Sequence, residues 1–266
     1  MNSLSLSNIS IIRGETPIAK NLSLELIKGQ VNAILGPNGV GKSTLLKAIF
    51  GEVELAGGRV VYGETQLQDV ALQTWRAPIG YMPQDTFISA SLSALEVVLL
   101  GQLSALSMHV GEEVLENALQ AMDKVGCLHL AQRDIQSLSG GQRQLILFAQ
   151  VLLGQPEILM LDEPVSALDM HHQAVLLEHV ARETKQRELI TVMVIHDLSL
   201  AAQYADHLFL LKDGSIQARG APMDVLQPET ISDIYDVDIE RLFDSDGIPV
   251  IQPKRRKESL DSTNPL

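Results

Sequence analysis

One cysteine, Cys127, stands alone in 266 residues, which excludes an internal disulfide framework and a cysteine-bound metal cluster. That usage suits a reducing compartment. Positive charge is also scarce: 20 Lys and Arg against 33 Asp and Glu leave a formal net charge of −13, the opposite of the basic stripe that a general grip on nucleic acid needs. The basic run Lys254-Arg255-Arg256-Lys257 is followed by Glu258 and Asp261 and reads as a solvated tail. No apolar run approaches the roughly 20 residues that a membrane-spanning helix requires. The start, Met1-Asn2-Ser3-Leu4-Ser5, lacks the charged residues and apolar block of a secretion signal. Any association with a membrane is therefore expected to come through a partner.

What is present suffices for one large domain, or one domain carrying an insertion, since 45% of the residues are hydrophobic. From about Leu4 to Gly63 apolar and polar residues alternate between turn signals at Arg13-Gly14, Lys28-Gly29 and Gly57-Gly58, the pattern of antiparallel strands. From about Ser91 to Phe148 the spacing turns helical, as in Val114-Leu115-Glu116-Asn117-Ala118-Leu119. This block is expected to be a helical insertion, at about 86–152. Beyond it, buried strands at Ile158–Leu161 and Ile190–Ile195 alternate with helices, which predicts a parallel sheet in an α/β core.

The chemistry starts at Gly36-Pro37-Asn38-Gly39-Val40-Gly41-Lys42-Ser43-Thr44, a complete match to the phosphate-binding loop pattern G-x-x-x-x-G-K-[ST]. Val31–Leu35 reads as the buried strand entering it and Leu45–Phe50 as the helix leaving it. Glycines allow the backbone N–H groups to wrap around phosphate oxygens, and the helix points its positive dipole end at the same charge. In such a loop Lys42 reaches the β- and γ-phosphates and Ser43 ligates Mg²⁺. Ile158-Leu159-Met160-Leu161-Asp162-Glu163 then delivers two carboxylates at a strand end: Asp162 to hold Mg²⁺ through water, Glu163 to polarise the attacking water. A third strand ends in His196-Asp197, at the edge where ligands of parallel sheets bind.

Leu138-Ser139-Gly140-Gly141-Gln142, placed between the phosphate loop and the Asp-Glu strand, resembles the signature of ATP-binding cassette (ABC) proteins. The resemblance covers residues 1–252 and leaves 253–266 as a polar tail. It implies a P-loop ATPase core with a mixed or parallel sheet, an antiparallel β subdomain and an inserted helical subdomain. It also implies that Ser139, Gly140, Gly141 and Gln142 clasp the γ-phosphate bound by a second copy, so that two ATP sit in a head-to-tail dimer. Gln84, in Tyr81-Met82-Pro83-Gln84-Asp85, matches the family's glutamine loop, which senses Mg²⁺ and the γ-phosphate and relays that state to a membrane partner. Asp169 matches the loop crossing the dimer interface, and His196 the histidine that contacts the γ-phosphate and supports the catalytic water.

One departure concerns the base. Many relatives carry an aromatic residue just before the glycine near position 14, where this chain has Ile12-Arg13-Gly14; either Arg13 stacks its guanidinium on adenine or another residue makes that contact. The adjacent His171 and His172 point about 100° apart on a helix, a poor arrangement for a shared metal, and are expected to open the helix after the interface loop. Trp75 is expected to pack beneath the glutamine loop.

The resemblance implies the ATPase subunit of a membrane importer, on the cytoplasmic face of the cell's inner membrane. Its expected partners are a second copy, two permease subunits and, indirectly, a substrate-binding protein, with no nucleic acid. Ala94–Gly101, Asp213–Pro222 and Asp224-Val225-Leu226 are most similar to importers of ferric siderophores, haem and cobalamin. Import of another cargo, or a soluble cassette ATPase acting on nucleic acid or ribosomes, is the alternative; a binding module without turnover is disfavoured by the intact Glu163 and His196.

Overall fold

The computed structural model describes residues 3–84, 90–105 and 111–254. Asp85, and the polar tail from Arg255 onward, lie outside these residues. The chain begins with a hairpin, β1 (Leu4–Arg13) and β2 (Thr16–Leu26), in which Leu22, Leu24 and Leu26 turn inward while Ser23 and Glu25 face out. β3 (Gln30–Leu35) enters the phosphate loop and α1 (Lys42–Ile49) leaves it. β4 (Gly57–Tyr62) and β5 (Thr65–Gln66) complete an antiparallel sheet of order β2-β1-β4-β5. A short helix, α2 (Leu72–Arg76), leads to β6 (Ile79–Met82).

Three helices follow: α3 (Ala94–Leu99), α4 (Glu112–Lys124) and α5 (Gly140–Leu153), which pack on one another. Both α3 and α5 start with reciprocal caps, Ser93 with Glu96 and Ser139 with Gln142, which satisfy orphan N–H groups at each helix start. The chain then alternates β7 (Ile158–Asp162), α6 (Met170–Gln186), β8 (Ile190–Val194), α7 (Leu198–Tyr204) and β9 (His207–Lys212). The Asp213-Gly214 turn, with φ of 51° and 77°, reverses it into β10 (Ser215–Gly220), as a tight hairpin demands. Two short helices, α8 (Pro222–Val225) and α9 (Pro228–Tyr235), and a closing hairpin, β11 (Ile239–Phe243) with β12 (Pro249–Pro253), end the described chain.

The central sheet has the order β10-β9-β3-β8-β7-β6, parallel except for β10. Its inner strands β7 and β8 are buried along their whole length because both faces are covered. Along β7, Leu159 and Leu161 join the core shared with α3–α5, whereas Ile158 and Met160 join the core shared with β1, β2 and α1. Residues alternating along one strand thus tie two cores together. Cys127 is fully buried in the helical core, and burial pushes its thiol up to about 12. The native protein is expected to resist a maleimide at neutral pH and to react fully once unfolded in guanidinium; rapid native labelling would show that this core opens readily.

Trp75 differs from expectation. Its indole Nε1 donates to the Ile49 carbonyl at 2.8 Å, so the ring closes the end of α1, where a helix leaves carbonyls unpaired, rather than lying beneath Gln84.

Candidate active site

Four parallel strands deliver their carboxyl ends to one edge. β3 ends at the phosphate loop, β6 leads to Gln84, β7 ends in Asp162 and Glu163, and β8 leads to His196. Register sets the depth of each: Asp162 pairs with Val194, and the Glu163 N–H donates to the Val194 carbonyl at 3.1 Å, which places Glu163 beside the start of the His196 turn.

The loop itself is shaped by close approach. Gly41 holds φ 102° at the cap of α1, and a side-chain carbon there would overlap Ile18 of β2, so glycine meets both the conformational and the spatial demand. No acidic side chain stands in the first turn of α1, leaving its amide dipoles uncompensated. Lys42 is only 5% exposed, and its Nζ donates to the carbonyls of Gly36 at 2.8 Å and Pro37 at 3.0 Å. Burial lowers its pKa, opposed by the carboxylates of Glu163 and Asp162. Ser43 Oγ donates to Asp162 Oδ1 at 2.8 Å. Asp162, 1% exposed, is raised by burial, while the Ser43 hydroxyl pulls the other way. An ammonium across the loop, with a hydroxyl–carboxylate pair next to it, fits a magnesium-bound triphosphate: hard oxygen donors for the cation, N–H donors and positive charge for the anion.

A second group gathers around Glu163. Gln84 Nε2 donates to Glu163 Oε2 at 2.7 Å, and His196 Nε2 contacts Glu163 Oε1. The carboxylate is thereby held from both sides. Glu163 has φ 52°, a left-handed conformation that costs an L-residue about 1–2 kcal/mol and turns its side chain off the strand axis. A cleft of about 230 Å³ lined by Glu163, Val165, Ser166, Gln173 and His196 opens beside it. Tyr81, unnoticed in the sequence as a site neighbour, stacks on Phe50 with ring centroids 4.8 Å apart; burial first, and the Asp162 charge second, raise its phenol.

The third group stands apart. Ser139 caps α5, accepting from the Gln142 N–H, and Asp169 caps α6, accepting from the His172 N–H at 2.9 Å. The Asp169 carboxyl is held low by that N–H and by the His172 ring. Among the described residues, no hydrogen bond or ion pair joins Ser139, Gly140, Gly141, Gln142 or Asp169 to Lys42, Ser43 or Asp162. The histidine pair does open α6, with ring planes 78° apart, but His172 also touches the Ser139 group, which spacing alone did not reveal. Arg13, at the end of β1 opposite Thr16, is exposed, as is Ile12 at 53%.

A triphosphate cradle at the carboxyl edge of a parallel sheet, with a clamped carboxylate beside it, defines a P-loop nucleotide hydrolase. The chain belongs to the ABC transporter family, whose profile its residues 19–166 match. It is similar to the hemin import ATP-binding protein HmuV of Plesiomonas shigelloides, 40% identical over 259 residues that cover 88% of this chain and 95% of that protein. The protein of the same name from Photobacterium damselae subsp. damselae is 41% identical over 238 residues, covering 87% of this chain and 88% of that one. Among solved structures, an inward-facing metal-chelate type ABC transporter superposes with a TM-score of 0.84 at 26% identity, covering 96% of this chain and 99% of that one. A dimeric bacterial ABC transporter cassette superposes with a TM-score of 0.74 at 27% identity, covering 82% and 98%. This chain is accordingly the ATPase subunit of an ABC transporter. Among the described residues, no helix is long and apolar enough to cross a membrane.

Proposed function

We propose that this chain hydrolyses ATP to drive import of haemin, or of another iron chelate or cobalamin. It acts as a pair of copies beneath two permease subunits on the cytoplasmic face of the inner membrane, supplied by a substrate-binding protein. The cargo reading is supported by the relatives' names, since several proteins called hemin import ATP-binding protein HmuV align over most of this chain. The observation that carries the hydrolytic reading is the clamped Glu163, between Gln84 and His196 and next in sequence to the Ser43–Asp162 pair. In this reading residues 1–252 form the cassette, with a helical subdomain at about 86–152, and 253–266 form a tail.

Each residue then has a task. The amides of Gly36 through Thr44 and the Lys42 ammonium hold the phosphates, and Ser43, Gln84 and Asp162 hold Mg²⁺, which neutralises phosphate charge when bound. Glu163 orients and polarises the attacking water, and His196 supports it and the γ-phosphate. Ser139, Gly140, Gly141 and Gln142 of a second copy complete the cradle, and Asp169 crosses between the copies. Because Gln84 donates to Glu163, a change in the position of Gln84 acts directly on the catalytic carboxylate.

Two measurements test this. Removing the chain from its cell should abolish growth on haemin as sole iron source, with recovery by the wild-type chain; undiminished haemin-dependent growth contradicts the cargo. Gln84→Ala should leave ATP binding largely intact while lowering permease-stimulated turnover and transport together. Parallel loss of ATP affinity and transport would reduce Gln84 to a binding residue.

A further inference from the structure

The starts of α5 and α6 meet through one side chain. His172 stands in the first turn of α6, and its Nδ1 lies 2.8 Å from Asp169 Oδ1, the same oxygen that accepts from the His172 N–H. With its ring nitrogen as donor, the imidazole locks the carboxylate in place. The Cγ–Cδ2 side of the ring abuts Gly141: a side-chain carbon at 141 would overlap the ring and come within 2.9 Å of the His172 Cβ. Glycine at 141 is thus required by the neighbouring helix. Next to it, a side-chain carbon at Gly140 would stand 3.7 Å from the Ala167 carbonyl. Gln173, one residue on, donates to the Val165 and Leu168 carbonyls at 3.3 and 3.1 Å, fastening the 165–168 loop to the same turn of α6.

A helix cap alone does not require this arrangement. Asp169 would cap α6 through the backbone N–H whatever residue stood at 172. The ring adds a second bond to that carboxylate and a packed contact to a different helix, so the Ser139–Gln142 turn and the 166–169 loop form one body.

We propose that His172 is a positioning residue that fixes the spacing between the start of α5 and the Asp169 carboxylate, so that both meet a second copy's nucleotide site as a unit. This rests on the composite site proposed above. Rigid spacing matters because a displacement on the order of 1 Å in groups that complete a reactive site can cost about a hundredfold in rate.

The test uses ATP-dependent dimerisation in a Glu163→Gln background, followed by light scattering, beside turnover in chains that retain Glu163. His172→Ala should need on the order of tenfold more protein to dimerise with MgATP and should lower kcat by a similar factor, with ATP affinity of the monomer unchanged. His172→Asn, whose Nδ2 can stand where the ring Nδ1 stands, should recover a large part of both. Gly141→Ala should be impaired by overlap with the ring and the His172 Cβ, and adding His172→Ala should remove the ring part of that overlap, so that the double variant loses less than the sum of the two single ones. If Gly141→Ala does not fold, the Ala and Asn variants at 172 still decide. A His172→Ala chain that dimerises like its parent, or that loses monomer ATP affinity in step with dimerisation, overturns the proposal. If the Glu163→Gln parent itself stays monomeric with MgATP, the composite site falls and takes this role with it.

Discussion

Glu163→Gln should bind MgATP and yet turn it over more slowly by a factor on the order of 10² or more, the usual scale for a lost general base. The substitution keeps the size of the side chain and an acceptor for the Gln84 amide, which now lies 2.7 Å from the carboxylate, but removes the negative charge that in the proposed mechanism orients water. The contact with His196 changes character for the same reason. Since the deficit falls on the transition state, bound ATP should persist between Lys42 of one copy and Ser139 of the other. The variant should run as a dimer in the presence of ATP on gel filtration. Hydrolysis near the wild-type rate would mean that another group positions the water.

Lys42→Ala should fail at the earlier step. The Lys42 ammonium is buried, spans the loop through the Gly36 and Pro37 carbonyls, and in the proposed site is the charge that meets the β- and γ-phosphates. Its loss leaves the loop amides without their cation and the two carbonyls without their donor. ATP affinity should fall by an order of magnitude or more, on the scale of about 1.5–3 kcal/mol for a charge-assisted hydrogen bond, and the ATP-dependent dimer should vanish with it. Titration with a fluorescent ATP analogue checks this directly, and wild-type affinity would remove Lys42 from the phosphate site. The pair of variants separates binding from chemistry, because one should accumulate the dimer that the other cannot form.

Much of this was legible in the residues because the chemistry is local. A phosphate loop is a single contiguous turn, so Gly36 through Thr44 announce both the strand before and the helix after, and both form where expected, at Gln30–Leu35 and Lys42–Ile49. The apolar runs of β7 and β8 likewise announce strands covered on both faces. What sequence did not reveal depends on contacts across the fold. The Trp75 indole finds its carbonyl at Ile49, at a separation of 26 residues, a pairing set by how α2 packs on α1. The closing hairpin of β11 and β12 was also missed, since Ile239–Phe243 mixes charge with apolar residues and has little alternation, and its register is stabilised by packing on α7. His172 carried a helical signal only; its meeting with Gly141 arises where two helix starts from distant parts of the chain converge.

The central claim is that Lys42 and Ser139 of one chain serve different nucleotides, each site being completed by a second copy. The direct measurement is ATP hydrolysis by the wild-type chain across a dilution series, with the mass of the species followed by light scattering in the same buffer with MgATP. Total activity should fall more steeply than in proportion to the protein present, so that activity per chain declines as dimers dissociate. Constant activity per chain at dilutions where the protein is shown to be monomeric would contradict the account.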